Sequence, residues 1–418
     1  MEANHKILIE LLSAALTGSD FNIADYPVKH RDGNLDWNAI YDMAAAHRVH
    51  TLIYPIVKKI EPEAGPGPEI LEKWDIEAMA CGITSYSCEL WIGEVCRALR
   101  EAGIAAIVLK GMAVNRCYPN PELRSMGDVD ILVHNQDMEK ASEVLLLLGY
   151  RIIDNTNGKH MEFAKMNTVP IELHRLLSEY EFVENSDLFH QEIWRNLLEV
   201  PLGNSTANIL SWDMQILHMC IHMATHLIYK GFGLRQLCDF IVVCQTKKHE
   251  INWEIVSEDS VKFGINQFLL AVFQVCNRLF RIDIPEALKS DAMTQCKQID
   301  DFVEDILKGG AFGQYDINRI AVNTIIKNTG KKEKYMKNRI LNAISILFPS
   351  GINLSKRPYY SYLKSYPYLL PLAWIQRIAY GLARKDFDFK SKKGIFLNRY
   401  LAEAARERNA LLLWLNLK

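Results

Sequence analysis

The residues best suited to chemistry in this 418-residue sequence lie between Ile107 and His174. Asp128 and Asp130 open the run Gly127-Asp128-Val129-Asp130-Ile131-Leu132-Val133. Residues i and i+2 of a strand point to one face, so the two carboxylates project together while the apolar residues behind them anchor the strand. Two carboxylates so close repel each other and push one pKa up unless cations lie between them. A divalent pair, Mg²⁺ with Mn²⁺ as the alternative, resolves that conflict. In phosphoryl transfer a protein mainly positions groups and neutralises charge, one metal activating the attacking hydroxyl and another bridging triphosphate oxygens. Glu172, in Val169-Pro170-Ile171-Glu172-Leu173-His174, is the expected third carboxylate, on a strand beside that of Asp128. An Asp-x-Asp ahead of a strand is common on its own. The ordered set carries the reading.

Two further features suit a triphosphate. Lys110 and Gly111 fall where a strand ends and a helix begins, so Gly111 permits close backbone approach and Lys110 adds a point charge. Arg124, four residues before Asp128, offers a guanidinium that binds phosphate in bidentate fashion, or else caps the core as an ordinary arginine. Gly127 reads as a turn residue.

The elements that position these groups follow from periodicity. Apolar residues at helical spacing run through Trp37–His47 and Ile70–Leu99, separated by Gly65-Pro66-Gly67-Pro68. Strand patterns first appear at Ala105–Leu109 and continue at Val129–Val133, Arg151–Ile153, Met161–Lys165 and Val169–His174, with a helix at Met138–Leu148 ending before Gly149. Helical spacing returns in Gln215–Tyr229, Leu234–Gln245, Trp253–Phe263 and Gln267–Phe280. The expected fold class is α+β, mostly helical, with one small mixed sheet between N- and C-terminal helical regions.

His218, His222 and His226, spaced by four, share one helical face within about 80° of rotation. That spacing can bind zinc, with Asp239 as a further ligand and a zinc hydrolase as the corresponding function. No HExxH accompanies it, so the favoured reading is a cleft wall or hydrogen-bonded core. Arg235 and Asp239, also four apart, either pair with each other or face the same cleft. Residues 327–393 carry fifteen Lys or Arg against Glu333, Asp386 and Asp388, a balance of +12, with Tyr359, Tyr360, Tyr362, Tyr366, Tyr368 and Trp374 interleaved. This region suits RNA, an anionic membrane surface, or a solvated face folded on the acidic remainder.

Overall charge is −2, so nothing in the global balance announces nucleic acid or membrane as a partner. Nine cysteines without a CxxC pair, mostly in apolar stretches, read as reduced core residues of a cytoplasmic protein. The apolar stretch near Phe268–Phe280 is broken by Gln274, Asn277 and Arg278, and no transmembrane segment is expected.

The order Leu109-Lys110-Gly111, Tyr118-Pro119, Leu123-Arg124, Gly127–Val133, a helix ending in Leu148-Gly149-Tyr150, then Val169–His174 resembles the polymerase-beta-like nucleotidyltransferases of bacterial type. Within that superfamily it is most similar to a family of uncharacterised nucleotidyltransferases. The resemblance takes in Ala46-His47-Arg48-Val49-His50 and Gly233-Leu234-Arg235-Gln236-Leu237-Cys238-Asp239. It spans Asp36 to about Phe280, and the patterns along the chain divide the sequence into an N-terminal helical region at 1–102, a nucleotidyltransferase core at 103–205, a C-terminal helical domain at 206–345, and a basic aromatic tail with a terminal helix at 346–418. The resemblance implies a metal site of Asp128, Asp130 and Glu172 for two Mg²⁺, and nucleotide contacts from Lys110, Gly111, Arg124, Arg235 and Asp239. The implied activity moves a nucleoside monophosphate from an NTP to a small-molecule hydroxyl, a protein or a tRNA, with release of pyrophosphate. The superfamily's Gly-Ser is Gly111-Met112 here, so the alternative is a nucleotide-binding module that keeps the fold without turnover.

Overall fold

The computed structural model describes residues 3–25, 35–155, 160–177, 182–289, 296–310, 351–355, 358–383 and 399–417. It divides into two compact units, residues 1–315 with 412–418, and residues 316–411.

The first unit begins with helices α1 (Ala3–Thr17), α2 (Trp37–Ala46) and α3 (His50–Val57). Asp36 caps α2 by accepting the Ala39 N–H. Helix α4 (Pro68–Glu101) starts on Pro at its first turn, where the missing N–H costs nothing. It stops at Gly103, whose φ of +70° allows the Ile104 N–H to reach back to the Leu99 carbonyl.

Seven strands form one mixed sheet in the order β3-β4-β5-β2-β1-β7-β6. They are β1 (Ala106–Val108), β2 (Val129–Val133), β3 (Arg151–Asp154), β4 (His160–Ala164), β5 (Ile171–His174), β6 (Leu198–Leu202) and β7 (Ser205–Ile209). All five residues of β2 are buried, as expected for a central strand covered on both faces. It pairs antiparallel with β1 and parallel with β5. The β6–β7 hairpin, absent from the sequence reading, joins the sheet through a parallel pairing of β7 with β1. The sheet thus runs past residue 205, the expected end of the core.

Helix α4 lies against β1, β6 and β7, and α6 (Met138–Leu147) against β3 and β5. Short helix α5 (Lys110–Val114) leaves β1 and meets α9 (Leu234–Thr246). Helices α7 (Ser186–Glu192), α8 (Trp212–Tyr229), α10 (Trp253–Lys262), α11 (Asn266–Phe280) and α12 (Cys296–Gly309) complete this unit. Cys88, Cys96, Cys117, Cys220, Cys238, Cys244 and Cys276 are free and buried, and Cys81 is free and half-buried.

In the second unit, Leu354, Tyr360, Leu363 and Ala373 make a small core against which Tyr362, Leu369, Leu370 and Trp374 pack. Tyr359, Tyr366 and Tyr368 are exposed. Residues 327–350, 356–357 and 384–393 of the basic region lie outside the described residues. No helix among the described residues is long and apolar enough to cross a membrane.

Candidate active site

The parallel pairing of β2 with β5 sets Asp130 directly opposite Glu172. The register is pinned next to them by the Val129 N–H donating to the Pro170 carbonyl at 3.0 Å and the Leu109 N–H donating to the Asp130 carbonyl at 3.0 Å. Asp128, one residue ahead of β2, shares the face of Asp130 and is exposed, whereas Asp130 is only 4% exposed.

Two basic side chains crowd Asp130 Oδ1. Lys110 Nζ donates to it at 2.9 Å, and His174 Nε2 lies 2.8 Å away. The same His174 nitrogen is 3.3 Å from Glu172 Oε2. Burial pushes the Asp130 carboxyl up, but Lys110 and His174 overcome it and hold the group well below the usual carboxylate range. Glu172 is held down first by its His174 hydrogen bond, against burial and Asp130. Asp128 goes the other way: although its side chain reaches solvent, the protein crowded around the carboxyl raises its pKa by desolvation first and the charge of Asp130 raises it next, with Glu172 adding to it. Burial works against protonation of His174, yet its hydrogen bonds to Asp130 and Glu172 leave its pKa raised. Lys110 adopts a left-handed φ of +47°, a conformation costing about 1–2 kcal/mol outside glycine and common where a functional group must be aimed.

His174 is the member the sequence reading left without a role. Its signal was spacing: two residues after Glu172 in a strand, it must share that residue's face.

Arg124 and Asp239 are brought together, 115 positions apart, in a buried bidentate pair. Arg124 Nε and Nη2 each donate at 2.7 Å to Asp239 Oδ1 and Oδ2, and the Tyr118 hydroxyl donates to Oδ1 at 2.6 Å. Arg124 is 3% exposed, so its guanidinium is committed to protein. Gly111 is part of this arrangement, because a Cβ there would stand 2.8 Å from both terminal guanidinium nitrogens. Arg235 donates from Nη1 to the Ser125 carbonyl at 3.3 Å. Burial lowers its pKa first and the charge of Arg124 next, while Asp128 is among the charges that raise it.

The segments 46–50 and 233–239 also meet. The Leu234 N–H donates to His47 Nδ1 at 3.2 Å, and His47 Nε2 lies 3.1 Å from the Leu307 carbonyl, so Nε2 carries the proton. Burial pushes the His47 pKa down to about 4, keeping it neutral. Gly233 is required there, since a Cβ would come within 2.6 Å of His47 Nδ1.

The α8 histidines are depressed by burial first and Lys110 next: His218 to about 3, His222 well below its ordinary value and His226 to about 4. The column therefore stands within electrostatic reach of Lys110 and Asp130. His218 is 1% exposed and neither ring nitrogen has a hydrogen-bond partner. Among the described residues neither these three nor Asp128, Asp130 and Glu172 converge as a metal-ligand set; His160, Glu172 and His174 do. Met112 is buried and lines a cavity of about 160 Å³ with Val108, Ala113, Leu202, Ile209 and Trp212, so its side chain serves packing.

A family model described as an uncharacterised nucleotidyltransferase matches residues 33–281, more than half of the chain. The chain belongs to that nucleotidyltransferase family. The match takes in the three carboxylates, Lys110, the Arg124–Asp239 pair and the α8 histidines. A solution structure of the antibiotic-resistance factor ANT(2'')-Ia is similar at 11% identity and a TM-score of 0.30, over 40% of this chain and 88% of that one. No curated protein matches.

Proposed function

We propose that this nucleotidyltransferase moves a nucleoside monophosphate from an NTP to an acceptor nucleophile, releasing pyrophosphate. The observation that carries the reading is the pairing of Asp130 with Glu172 across β2 and β5, with Asp128 on the same face. The donor set fits divalent magnesium, or manganese in its place: all-oxygen, and with an Asp128 carboxyl whose pKa is raised partly by its neighbours' charge. Asp128 and Asp130 would hold both ions, and Glu172 the one nearer the acceptor. Bound ions would supply activation of the acceptor oxygen and neutralisation of the triphosphate.

The chain's own groups set the rest. Lys110 Nζ, now on Asp130, is placed to turn to a phosphate oxygen when cations take over that carboxylate. Arg235, whose charge Asp128 feels, is the second basic group beside the carboxylates. Arg124, Gly111 and Asp239 act one step back, fixing the segment ahead of β2 against α9. His174 holds Asp130 and Glu172 together. The acceptor in this reading is a small-molecule hydroxyl, a protein side chain or a tRNA end, and the +12 charge of residues 327–393 supports the RNA among them.

The test is a pyrophosphate-release assay with Mg²⁺, each NTP and acceptors of the three classes. With the acceptor that supports turnover, Glu172→Gln is expected to lower kcat by about 10² or more, the scale on which a lost group acting on transition-state charge is felt. Turnover at the wild-type rate without Glu172 contradicts the assignment.

A further inference from the structure

Strands β4 and β5 run antiparallel with His160 opposite His174 and Glu162 opposite Glu172. Directly opposed residues and their i±2 neighbours share one face of a sheet, so β4 delivers an imidazole to the face that carries Glu172 and His174. One ligand atom from each of His160, Glu172 and His174 lies within 4.8 Å of the other two. The two rings are 5.2 Å apart between centroids, and His174 Nε2 is 3.3 Å from Glu172 Oε2. All three residues are half-buried, shielded enough to limit competition from water and open enough for an ion to enter.

Two imidazoles and one carboxylate are a donor set that magnesium does not seek and zinc does. Magnesium takes oxygen ligands, whereas imidazole nitrogen favours the later first-row divalent ions, zinc among them. Two histidines and a glutamate with a fourth position open to solvent is a known form of zinc site. The donors come from two hydrogen-bonded strands rather than a loop, so their spacing is fixed by the sheet.

We propose that His160, Glu172 and His174 form a binding site for a zinc-class transition-metal ion, distinct in donor set from the Asp128–Asp130 pair and sharing Glu172 with it. The sharing has a consequence that rests on the nucleotidyl-transfer reading. A zinc ion held by Glu172 and His174 draws Glu172 from the magnesium set and competes for the imidazole that now bridges Asp130 and Glu172. Zinc at this site therefore opposes binding of the magnesium–nucleotide complex. No bond to substrate forms or breaks in this step; it is a competition between two ions for one carboxylate.

The experiment uses the full chain, stripped of metal and dialysed against zinc alone, with Co²⁺ as the spectroscopic substitute. Wild type is expected to hold about one zinc per chain and to give visible Co²⁺ ligand-field bands. His160→Gln, close in size and suited to a β-strand neighbour, is expected to lose zinc affinity by about tenfold or more and to lose the bands. Asp128→Asn is expected to keep both. Circular dichroism of His160→Gln, with His160→Ala as a second variant, separates loss of a ligand from loss of the fold. Wild type that retains no zinc, or folded His160 variants that bind it as tightly as wild type, overturns the site. In a second arm, zinc added before magnesium and a non-hydrolysable NTP is expected to weaken nucleotide binding in wild type and not in His160→Gln. Equal weakening in both overturns the competition. Zinc binding that depends on His160 in a protein that binds no magnesium–nucleotide at all upholds the zinc site while removing the nucleotidyl-transfer reading.

Discussion

Replacing Asp239 by Ala is expected to destabilise the first unit by about 3–5 kcal/mol, the cost of leaving one member of a buried ion pair alone. The geometry sets that scale. Both carboxylate oxygens of Asp239 accept from Arg124 at 2.7 Å, and Arg124 is 3% exposed, so the stranded guanidinium has little water to turn to. Gly111, whose missing Cβ leaves room for that guanidinium, walls it in on one side. The Tyr118 hydroxyl loses its acceptor in the same change, a further source of about 1–3 kcal/mol. Replacing both charges with apolar groups, Arg124→Met with Asp239→Leu, removes the buried charge altogether and is expected to recover at least half of the loss. Urea unfolding followed by tryptophan fluorescence measures each free energy, and a thermodynamic cycle across the four proteins gives the coupling. A cost below about 1 kcal/mol for Asp239→Ala, or a double variant as unstable as the sum of the singles, refutes the view that this pair fixes the carboxylate-bearing segment to α9.

Other consequences follow from the same geometry. His47 has a folded pKa near 4 against 6.5 for an ordinary histidine, so the unfolded chain takes up a proton that the folded chain refuses. Its contribution is whole above pH 6.5 and is lost as pH falls toward 4, amounting to about 3 kcal/mol over that window; urea titrations at pH 7 and pH 5 are expected to show a loss of stability that His47→Asn shallows. Lys110→Met removes the charge on Asp130 Oδ1 and is expected to weaken NTP binding by about tenfold, near 1.4 kcal/mol, with circular dichroism unchanged. Unchanged nucleotide affinity in that variant takes Lys110 out of the site.

The central strand was legible because its signal is local. Val129–Val133 is an unbroken apolar and acidic run, and the observed strand has those bounds. Long helices such as α4 and α8 were legible for the same reason, their periodicity extending over several turns. The β6–β7 hairpin was read as neither, although Leu198, Val200, Leu202, Ala207 and Ile209 alternate with polar residues and Pro201 about Gly203-Asn204, a local hairpin pattern; what is not local is its place beside β1, a pairing between residues about 100 apart. Partners were harder to see than elements. Arg235 and Asp239, four apart, were open to pairing with each other or to facing the cleft, whereas the bidentate partner of Asp239 is Arg124, far upstream. Gly111 invited a phosphate reading, and the room it leaves is filled by a guanidinium. His47 and Gly233, noticed in the sequence as parts of two separate segments, turn out to touch. Which helix or turn lies next to which decides these contacts, and a single sequence encodes that only through contacts summed over the whole core.

The most direct test of the central claim is isothermal titration of wild type and an Asp128→Ala/Asp130→Ala variant with non-hydrolysable NTPs, with and without Mg²⁺. Wild type is expected to bind at least one NTP, more tightly with magnesium by about tenfold or more, and the folded variant to lose that magnesium dependence. A well-folded wild type that binds no NTP, or a variant that keeps the full magnesium dependence, contradicts a nucleotide site built on Asp128, Asp130 and Glu172.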